Sequence, residues 1–229
     1  MVPHAREAVT AVIAAKDEAP TIDGIVRRCL PLADTVIVVD GHSTDGTADL
    51  ARRAGARILE DARRGKGDAI RTAIPHITTP ITVFLDADGS HRPEDIPTIV
   101  APILEDRADH VSASRLMGGS SELHGGWDEF FRLTGSSFIT ACINWRFGVR
   151  LSDSQNGFRA IRTSLLQRLA LSGDTTTIEQ EMIMRTLRLG GRMAEVPSHE
   201  YARQHGVSHI RIWRVAPRYL YSLIRHLWF

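Results

Sequence analysis

Val83-Phe84-Leu85-Asp86-Ala87-Asp88 is the stretch of this sequence that decides the fold. Three apolar residues run into two carboxylates separated by one small residue, which predicts a buried strand with two acids at its C-terminal end. In open α/β sheets, ligands bind at that end of the strands. Two aspartates at this spacing can share one cation, and Mg²⁺ prefers such oxygen ligands together with water and phosphate. A solvated turn after a strand would give the same pattern, so the surrounding sequence has to decide.

Composition limits the class of protein. The chain has 229 residues, 43% of them hydrophobic, and a formal net charge of +1, which fits a globular domain and gives no sign of nucleic-acid binding. Cys29 and Cys142 lie far apart in apolar surroundings, as expected for buried thiols in a reducing compartment. The N-terminus lacks the shape of a signal peptide, and no apolar run reaches the roughly 20 residues of a spanning helix. We therefore expect a cytoplasmic protein.

Strands and helices alternate along the first half of the chain. Continuous apolar runs predict strands at residues 8–14, 35–40, 56–59, 81–85 and 110–113. Helical spacing and turn residues predict intervening helices that end near residues 30, 54, 76 and 105, the last of them opened by Pro93. This alternation predicts an α/β fold with a mostly parallel central sheet and helices on both faces. Polar clusters at 16–18, 40–45 and 86–90 follow three of these strands and would line one crevice.

Four blocks of sequence occur at a characteristic spacing. They are residues 12–18, the Asp-rich stretch 38–47, Gly65-Lys66-Gly67, and Phe84-Leu85-Asp86-Ala87-Asp88. Together they resemble the family 2 glycosyltransferases of the GT-A (nucleotide-diphospho-sugar transferase) fold, over residues 8 to about 115. The resemblance implies an enzyme that transfers one sugar from a nucleotide-sugar donor, with residues 1–208 as the GT-A domain.

The second half of the chain narrows the resemblance. Ser114-Arg115, Arg132, Ser136, the run Gly157-Phe158-Arg159, and Arg203 before Gly206 and Ser208 are similar to dolichyl-phosphate mannosyltransferases and their bacterial polyprenyl-phosphate relatives. This implies a GDP- or UDP-linked donor and a polyprenyl-phosphate acceptor. Ser90 stands where many of these enzymes have Gln, and Gln155-Asn156 replaces a Thr/Ser pair, so the sugar and the nucleobase stay open.

The resemblance assigns donor-binding roles to six residues, namely Ala14, Glu18, Asp40, Lys66, Asp86 and Ala87. It also assigns Mg²⁺ or Mn²⁺ to Asp86 and Asp88, of which Asp88 is the stronger ligand candidate and a catalytic residue. Lys66 would neutralise donor phosphate, with the flanking glycines allowing close backbone approach. Competing structural interpretations are a turn acceptor for Asp40, a helix cap for Glu18 and an exposed loop lysine for Lys66.

Arginines are the main candidates for binding the acceptor. By resemblance, Arg115, Arg132 and Ser136 hold the acceptor phosphate, Arg203 lies near the donor diphosphate, and Arg115 and Arg203 are catalytic. A lipid phosphate oxygen is already anionic, so guanidinium groups would orient it for a single, inverting displacement. The alternative acceptor is a hydroxyl of a soluble or lipid-linked saccharide, which needs a carboxylate base. The nearest candidates are Asp153, Glu179 and Glu181, each with a helix-surface or capping role as the competing interpretation.

Two stretches have an amphipathic pattern. Residues 127–147 and 209–229 interleave aromatic and basic residues with aliphatic ones, as helices at a membrane interface do. Both stretches could lie on the cytoplasmic face of the membrane near the isoprenoid tail, or they could pack on the sheet or form a homodimer contact. We expect Pro217 to break the C-terminal stretch in two.

Overall fold

The computed structural model describes residues 8–121, 127–202 and 212–228, with side chains outside 127–132 and 212–215. The strands in these ranges are β1 (Val9–Ala15), β2 (Thr35–Asp40), β3 (Arg57–Glu60), β4 (Ile81–Asp86), β5 (His110–Ser114), β6 (Arg159–Arg162) and β7 (Met193–Pro197). The helices are α1 (Ala19–Cys29), α2 (Thr47–Ala54), α3 (Lys66–Ala73), α4 (Ile96–Leu104), α5 (Arg115–Gly118), α6 (Trp127–Phe147), α7 (Thr163–Arg168), α8 (Ile178–Arg188) and α9 (Ile212–Trp228).

The seven strands form one sheet in the order β3-β2-β1-β4-β6-β5-β7. All neighbouring strands are parallel except β6, which pairs antiparallel with both β4 and β5. The predicted mostly parallel α/β sheet is therefore confirmed. The five predicted strands coincide with β1–β5, each boundary shifted by no more than one residue. The helix expected from Pro93 begins with a 3-10 turn before α4.

The core lies in two layers, one on each face of the sheet. Along β1, Ile13 packs into the layer under α1 and α4, while its neighbour Val12 packs into the layer under α3 and α8. Leu85 and Phe84 of β4 divide between the two layers in the same way. Because successive side chains of a strand point to opposite faces, a strand covered on both sides must be apolar throughout. This explains why the central strands are continuous apolar runs.

The strand order creates a crevice at the C-terminal edge of β1. The chain runs outward from β1 to β2 and β3, then crosses back so that β4 pairs with the other side of β1. The register sets Ala14 opposite Asp86 and Ala15 opposite Asp40, so the two aspartates flank the end of β1. Such a reversal of strand order is where open α/β sheets bind their ligands.

A third core cluster joins α6, α8 and α9 beside the sheet. The expectation that Pro217 breaks the C-terminal stretch is wrong, because α9 continues through it without interruption. Proline removes one backbone hydrogen bond near the start of this helix. Further along α9, the buried side chains of Leu223 and Leu227 pack in one cluster with Ile143 and Met184, and this packing stabilises the helix. Within the described ranges, no helix combines the length and apolar character needed to cross a membrane.

Candidate active site

The two acids of the deciding stretch lie at the end of β4, as predicted. Asp86 is the last residue of the strand, and Asp88 follows in a turn where Gly89 adopts a φ of 79°. Asp88 is only 8% exposed. Its Oδ1 accepts hydrogen bonds from the backbone N–H of Ser90 at 3.0 Å and from the Ser90 hydroxyl at 2.6 Å. The carboxylate of Asp88 is thus held in a fixed orientation at the crevice.

Lys66 joins this site from the start of α3. Its Nζ lies 2.5 Å from Asp86 Oδ1 and 2.8 Å from Glu179 Oε1 of α8, and its side chain is 20% exposed. The interpretation as an exposed loop lysine is therefore wrong. Burial lowers the pKa of Lys66, but the two carboxylates outweigh this effect and raise the pKa above its ordinary value. Lys66 is consequently a permanent cation shared by two acids.

Two glycines, Gly157 and Gly67, lie near Lys66 at positions where the chain packs closely. A Cβ on Gly157 would lie 2.6 Å from Lys66 Nζ and 2.7 Å from Asp86 Oδ2, so any side chain at this position would displace the ion pair. Gly67 packs on the backbone of residues 173–174, where an added Cβ would lie 2.9 Å from the carbonyl carbon of Asp174 and closer still to Gly173 O. The expectation that Gly67 allows close approach of donor phosphate therefore needs correction: the group that approaches Gly67 is the protein's own loop.

Glu179 belongs to a buried polar layer beneath the crevice. Its side chain is 4% exposed, and its backbone carbonyl accepts from the guanidinium of Arg159 at 2.9 Å. Arg159 is fully buried, and burial lowers the pKa of its guanidinium. His91 stacks on Phe158 with the ring centroids 5.4 Å apart, and burial lowers its pKa despite the nearby carboxylates. A helix-surface role for Glu179 is wrong, since α8 turns this residue into the protein.

Glu181, the second acid on α8, is also buried rather than on the helix surface. Its Oε1 accepts from the backbone N–H of Ser172 at 2.8 Å, and its Oε2 accepts from that of Gly173 at 2.7 Å. Arg185 of the same helix donates to Oε1 at 2.8 Å. Glu181 therefore fixes the segment on which Gly67 packs. The capping interpretation is also wrong for this residue, because its carboxylate binds a loop and not the N-terminus of α8.

Arg115 points into a cluster of carboxylates. Its Nε and a terminal nitrogen bind the two oxygens of Asp153 at 2.6 Å and 3.0 Å, and the other terminal nitrogen lies 3.3 Å from Glu200 Oε1. Burial disfavours the charge of Arg115, but these two acids outweigh it and raise the pKa of the guanidinium. Glu195 of β7 accepts from the backbone N–H of Asp153 at 2.8 Å, which orders the same loop. The role of Arg115 as an acceptor ligand stays a prediction.

The other residues predicted to bind the nucleotide-sugar donor lie at the C-terminal edge of the sheet. Asp40 is 4% exposed and accepts from the backbone N–H of Ser43 at 3.0 Å and from its hydroxyl at 2.6 Å, so it does act as a turn acceptor. The backbone carbonyl of Glu18 accepts from the N–H groups of Thr21 and Ile22 at the start of α1. Ala87 offers its carbonyl to the Thr21 hydroxyl at 2.6 Å. Donor contacts for these residues stay predictions.

The predicted acceptor residues are only partly described. Ser136 lies on α6, where its carbonyl accepts from the Thr140 hydroxyl at 2.9 Å. Arg132 is on the same helix, but its side chain lies outside the described residues, as does the whole of Arg203. The structure therefore brings Asp40, Asp86 and Asp88 to one edge, and it adds Glu179 to the surroundings of Lys66.

Asp86 and Asp88 are the residues that could hold a metal. Clusters of three or more His, Cys, Asp or Glu side chains with metal-binding geometry are absent from the described part of the chain. Two aspartates offer the hard oxygen ligands that fit Mg²⁺ or Mn²⁺, and such ions complete their coordination with water and substrate phosphate. The residues present therefore fit a divalent ion that is bound jointly with a phosphorylated ligand.

Comparison with known proteins identifies the family. The sequence model of glycosyl transferase family 2 matches residues 10–170. The chain belongs to glycosyl transferase family 2. It is a glycosyltransferase, and its sheet, with helices on both faces, is the GT-A fold of this family. The identification confirms the resemblance drawn from the four sequence blocks.

Two curated relatives are glycosyltransferases of Haloferax volcanii. Glycosyltransferase AglJ is 31% identical over 172 residues, which are 75% of this chain and 55% of that protein, so this chain spans little more than half of it. A dolichyl-phosphate hexose transferase is 28% identical over 162 residues, 71% of this chain and 68% of that protein.

A similar solved structure is glucosyl-3-phosphoglycerate synthase from Mycobacterium tuberculosis in complex with Mn²⁺, UDP and glucosyl-3-phosphoglycerate. It superposes with a TM-score of 0.77 at 22% identity, over 97% of this chain and 81% of that one. This similarity concerns the fold.

Proposed function

We propose that this family 2 glycosyltransferase transfers one sugar from a nucleotide-diphosphate donor to a polyprenyl phosphate. The observation that carries the proposal is that Asp40 and Asp86 flank the end of β1, where the strand order reverses, with Lys66 bound to Asp86 and Asp88 two residues further along the chain. A site with three acids and one buried cation suits a donor that carries both ribose hydroxyls and phosphates. The GDP- or UDP-linked sugar remains the expected donor class.

The residues of the site would bind different parts of the donor. Asp86 and Asp88 would hold Mg²⁺ or Mn²⁺, which supplies Lewis-acid stabilisation of the departing diphosphate. Lys66 places a second positive charge beside the same phosphates, and its ion pairs keep it in place before the donor arrives. Asp40, Glu18, Ala14 and Ala87 line the edge where the nucleoside would lie.

The acceptor class is supported by the state of the candidate bases. A hydroxyl acceptor needs a carboxylate that is available to take a proton. Glu179 is engaged by Lys66, Asp153 by Arg115, and Glu181 by the backbone of residues 172–173. A phosphate acceptor needs no base, because its oxygen is already anionic. The dolichyl-phosphate hexose transferase among the relatives points to the same class of acceptor. Direct attack would invert the anomeric configuration.

An exposed aromatic surface on α6 and α9 supports contact with a membrane. Trp145 is 75% exposed and Trp228 58% exposed, and their rings meet edge-on at 6.4 Å. Tyr221 and Ile224 of α9 are 66% and 50% exposed. Aromatic and aliphatic side chains of this kind, with arginines beside them, favour the interface of a bilayer. The segment 209–229 would therefore hold the enzyme at the cytoplasmic face, near the tail of its acceptor.

The test is a transfer assay with matched acceptors. The purified protein is first screened by thermal shift against UDP-, GDP- and dTDP-sugars with Mn²⁺, since a bound donor raises the melting temperature. The selected donor, radiolabelled in its sugar, is then offered to a short-chain prenyl phosphate and to the prenyl alcohol of the same length. We expect label on the phosphate and none on the alcohol. Label on the prenyl alcohol, or on a saccharide offered in a parallel reaction, with none on the prenyl phosphate, would contradict the proposal.

A further inference from the structure

Lys66 binds Asp86, which is one of the two carboxylates that would ligate the proposed metal. Its Nζ lies 2.5 Å from Asp86 Oδ1, while an Mg²⁺ ligand oxygen sits about 2.1 Å from its ion. We propose that Lys66 and the divalent cation compete for Asp86, and that Glu179 is the positioning residue that gives Lys66 a second partner. This inference rests on the proposed metal site.

Electrostatics makes simultaneous binding to Asp86 unfavourable. A divalent ion and an ammonium on one carboxylate would be only a few ångströms apart, at a site where the side chains of Lys66 and Asp86 are 20% and 27% exposed. Repulsion between charges at such distances is strong when solvent screening is weak. The metal can therefore take Asp86 fully only if the ammonium moves away from it.

Glu179 offers the place to which Lys66 can move. Its Oε1 already lies 2.8 Å from Lys66 Nζ, and its Oε2 is buried without a hydrogen-bond partner among the described residues. A buried carboxylate oxygen without a donor is costly. When the ammonium leaves Asp86, its freed N–H can bind Glu179 Oε2, so the lysine keeps a buried partner. Gly157 leaves the space beside Nζ and Asp86 free of a side chain.

The consequence is a metal site that is weak until the donor arrives. Lys66 opposes the cation at Asp86, whereas a diphosphate attracts both the cation and the lysine. Glu179 limits the cost of the exchange because it retains Lys66 near the donor phosphates. Metal and nucleotide should therefore bind cooperatively, and the degree of cooperativity should depend on Lys66.

The test measures Mn²⁺ affinity without nucleotide, by the loss of the free Mn²⁺ paramagnetic resonance signal. We expect Lys66→Met to tighten Mn²⁺ binding roughly 10- to 100-fold, the effect of removing one cation from beside a carboxylate. Arg71→Met is the matched control. Arg71 lies on the same helix and pairs with Asp68 at 3.2 Å and with Asp174, away from Asp86. We expect it to leave Mn²⁺ affinity unchanged.

Glu179→Gln tests the positioning role. It should weaken Mn²⁺ binding about 10-fold, because Asp86 is then the one carboxylate left beside Lys66 among the residues that the structure describes. The positioning role of Glu179 requires Lys66, so Glu179→Gln should have little effect once Lys66 is replaced. The Mn²⁺ affinity of the double variant Lys66→Met/Glu179→Gln should therefore lie within a few-fold of that of Lys66→Met. The double variant also removes the buried charge of Glu179 together with that of Lys66, so it remains informative if Lys66→Met does not fold.

The outcomes separate this inference from the proposed function. Wild-type affinity in Lys66→Met, or in the double variant if the single one does not fold, would overturn the competition. An equal effect of Glu179→Gln in the presence and absence of Lys66 would overturn the positioning role. In both cases Asp88→Ala should still abolish Mn²⁺ binding, and the metal site would stand. Mn²⁺ binding that Asp88→Ala leaves intact would instead reject the metal site itself.

Discussion

Gly67→Ala tests whether the glycines of the Gly-Lys-Gly loop serve protein packing. The added Cβ would lie within 2.9 Å of carbonyl carbons of both Gly173 and Asp174. Both belong to backbone that Glu181 and helix α8 hold in place. The contact therefore cannot be relieved by rotation of a side chain, and the loop must move away from α3.

The magnitude follows from three contributions. Overpacking of a buried contact costs about 1–3 kcal/mol. The displaced loop weakens two hydrogen bonds, from the N–H groups of Gly67 and Asp68 to Asp174 O, at 2.9 Å and 3.2 Å. Each such bond contributes about 0.5–1.5 kcal/mol. Alanine in a helix recovers about 0.5–1 kcal/mol relative to glycine. We expect a net loss of about 2–4 kcal/mol from these terms.

Urea denaturation followed by far-UV circular dichroism measures this loss. Gly24→Ala is the matched control, because Gly24 also lies in a helix but has open space around it. That variant should gain about 0.5–1 kcal/mol from helix propensity alone. A Gly67→Ala protein as stable as Gly24→Ala would refute the packing argument. If it also lost donor affinity, the glycine would be needed for phosphate approach instead.

Two further predictions concern buried charge. Arg115→Gln leaves Asp153, which is 2% exposed, without its cation and should cost about 3–5 kcal/mol at pH 7 in urea denaturation. Burial raises the pKa of Asp153, but the effect of Arg115 is larger, so the pKa is lowered overall. The ion pair therefore stabilises the folded protein at pH values above about 3.9, the pKa of Asp in an unfolded chain. The difference in the free energy of unfolding between the Arg115→Gln variant and the wild type should therefore shrink as the pH falls below about 4. Burial raises the pKa of Cys29 to about 12, so in a Cys142→Ser protein this thiol should react with Ellman's reagent at pH 8 only after unfolding. Prompt reaction of the native protein would contradict its burial.

The first half of the fold could be predicted because its signals are local. An apolar run such as Ile81–Asp86 is buried on both faces, so its composition alone predicts a strand, and its two acids follow at once. The polar clusters at 40–45 and 86–90 were expected to share a crevice because parallel strands end at one edge. Four short blocks at a fixed spacing then indicated the family, which the family model confirmed.

The partners of the charged residues could not be predicted, because they depend on contacts between distant parts of the chain. Lys66 pairs with Glu179 of α8, and Arg115 with Asp153 and Glu200. In the sequence, each of these acids resembles an ordinary surface or capping residue. Only the packing of α8 against the sheet turns Glu179 toward the crevice.

Glycine and proline show a similar limit of local reasoning. Gly67 matched a family loop, but its neighbour in the structure is the protein backbone of residues 173–174. Pro217 is a helix breaker by itself, yet α9 continues through it because the helix is packed on α6 and α8. In both cases tertiary contacts decide what the local sequence leaves open.

The central claim is that Asp86 and Asp88 hold a divalent cation on a nucleotide diphosphate. Its most direct test compares wild type with Asp88→Ala for sugar transfer and for Mn²⁺-dependent nucleotide binding by isothermal titration, with circular dichroism to confirm folding. We predict that the variant folds, loses transfer, and binds nucleotide equally with and without Mn²⁺. An Asp88→Ala protein that transfers sugar at the wild-type rate would contradict the account.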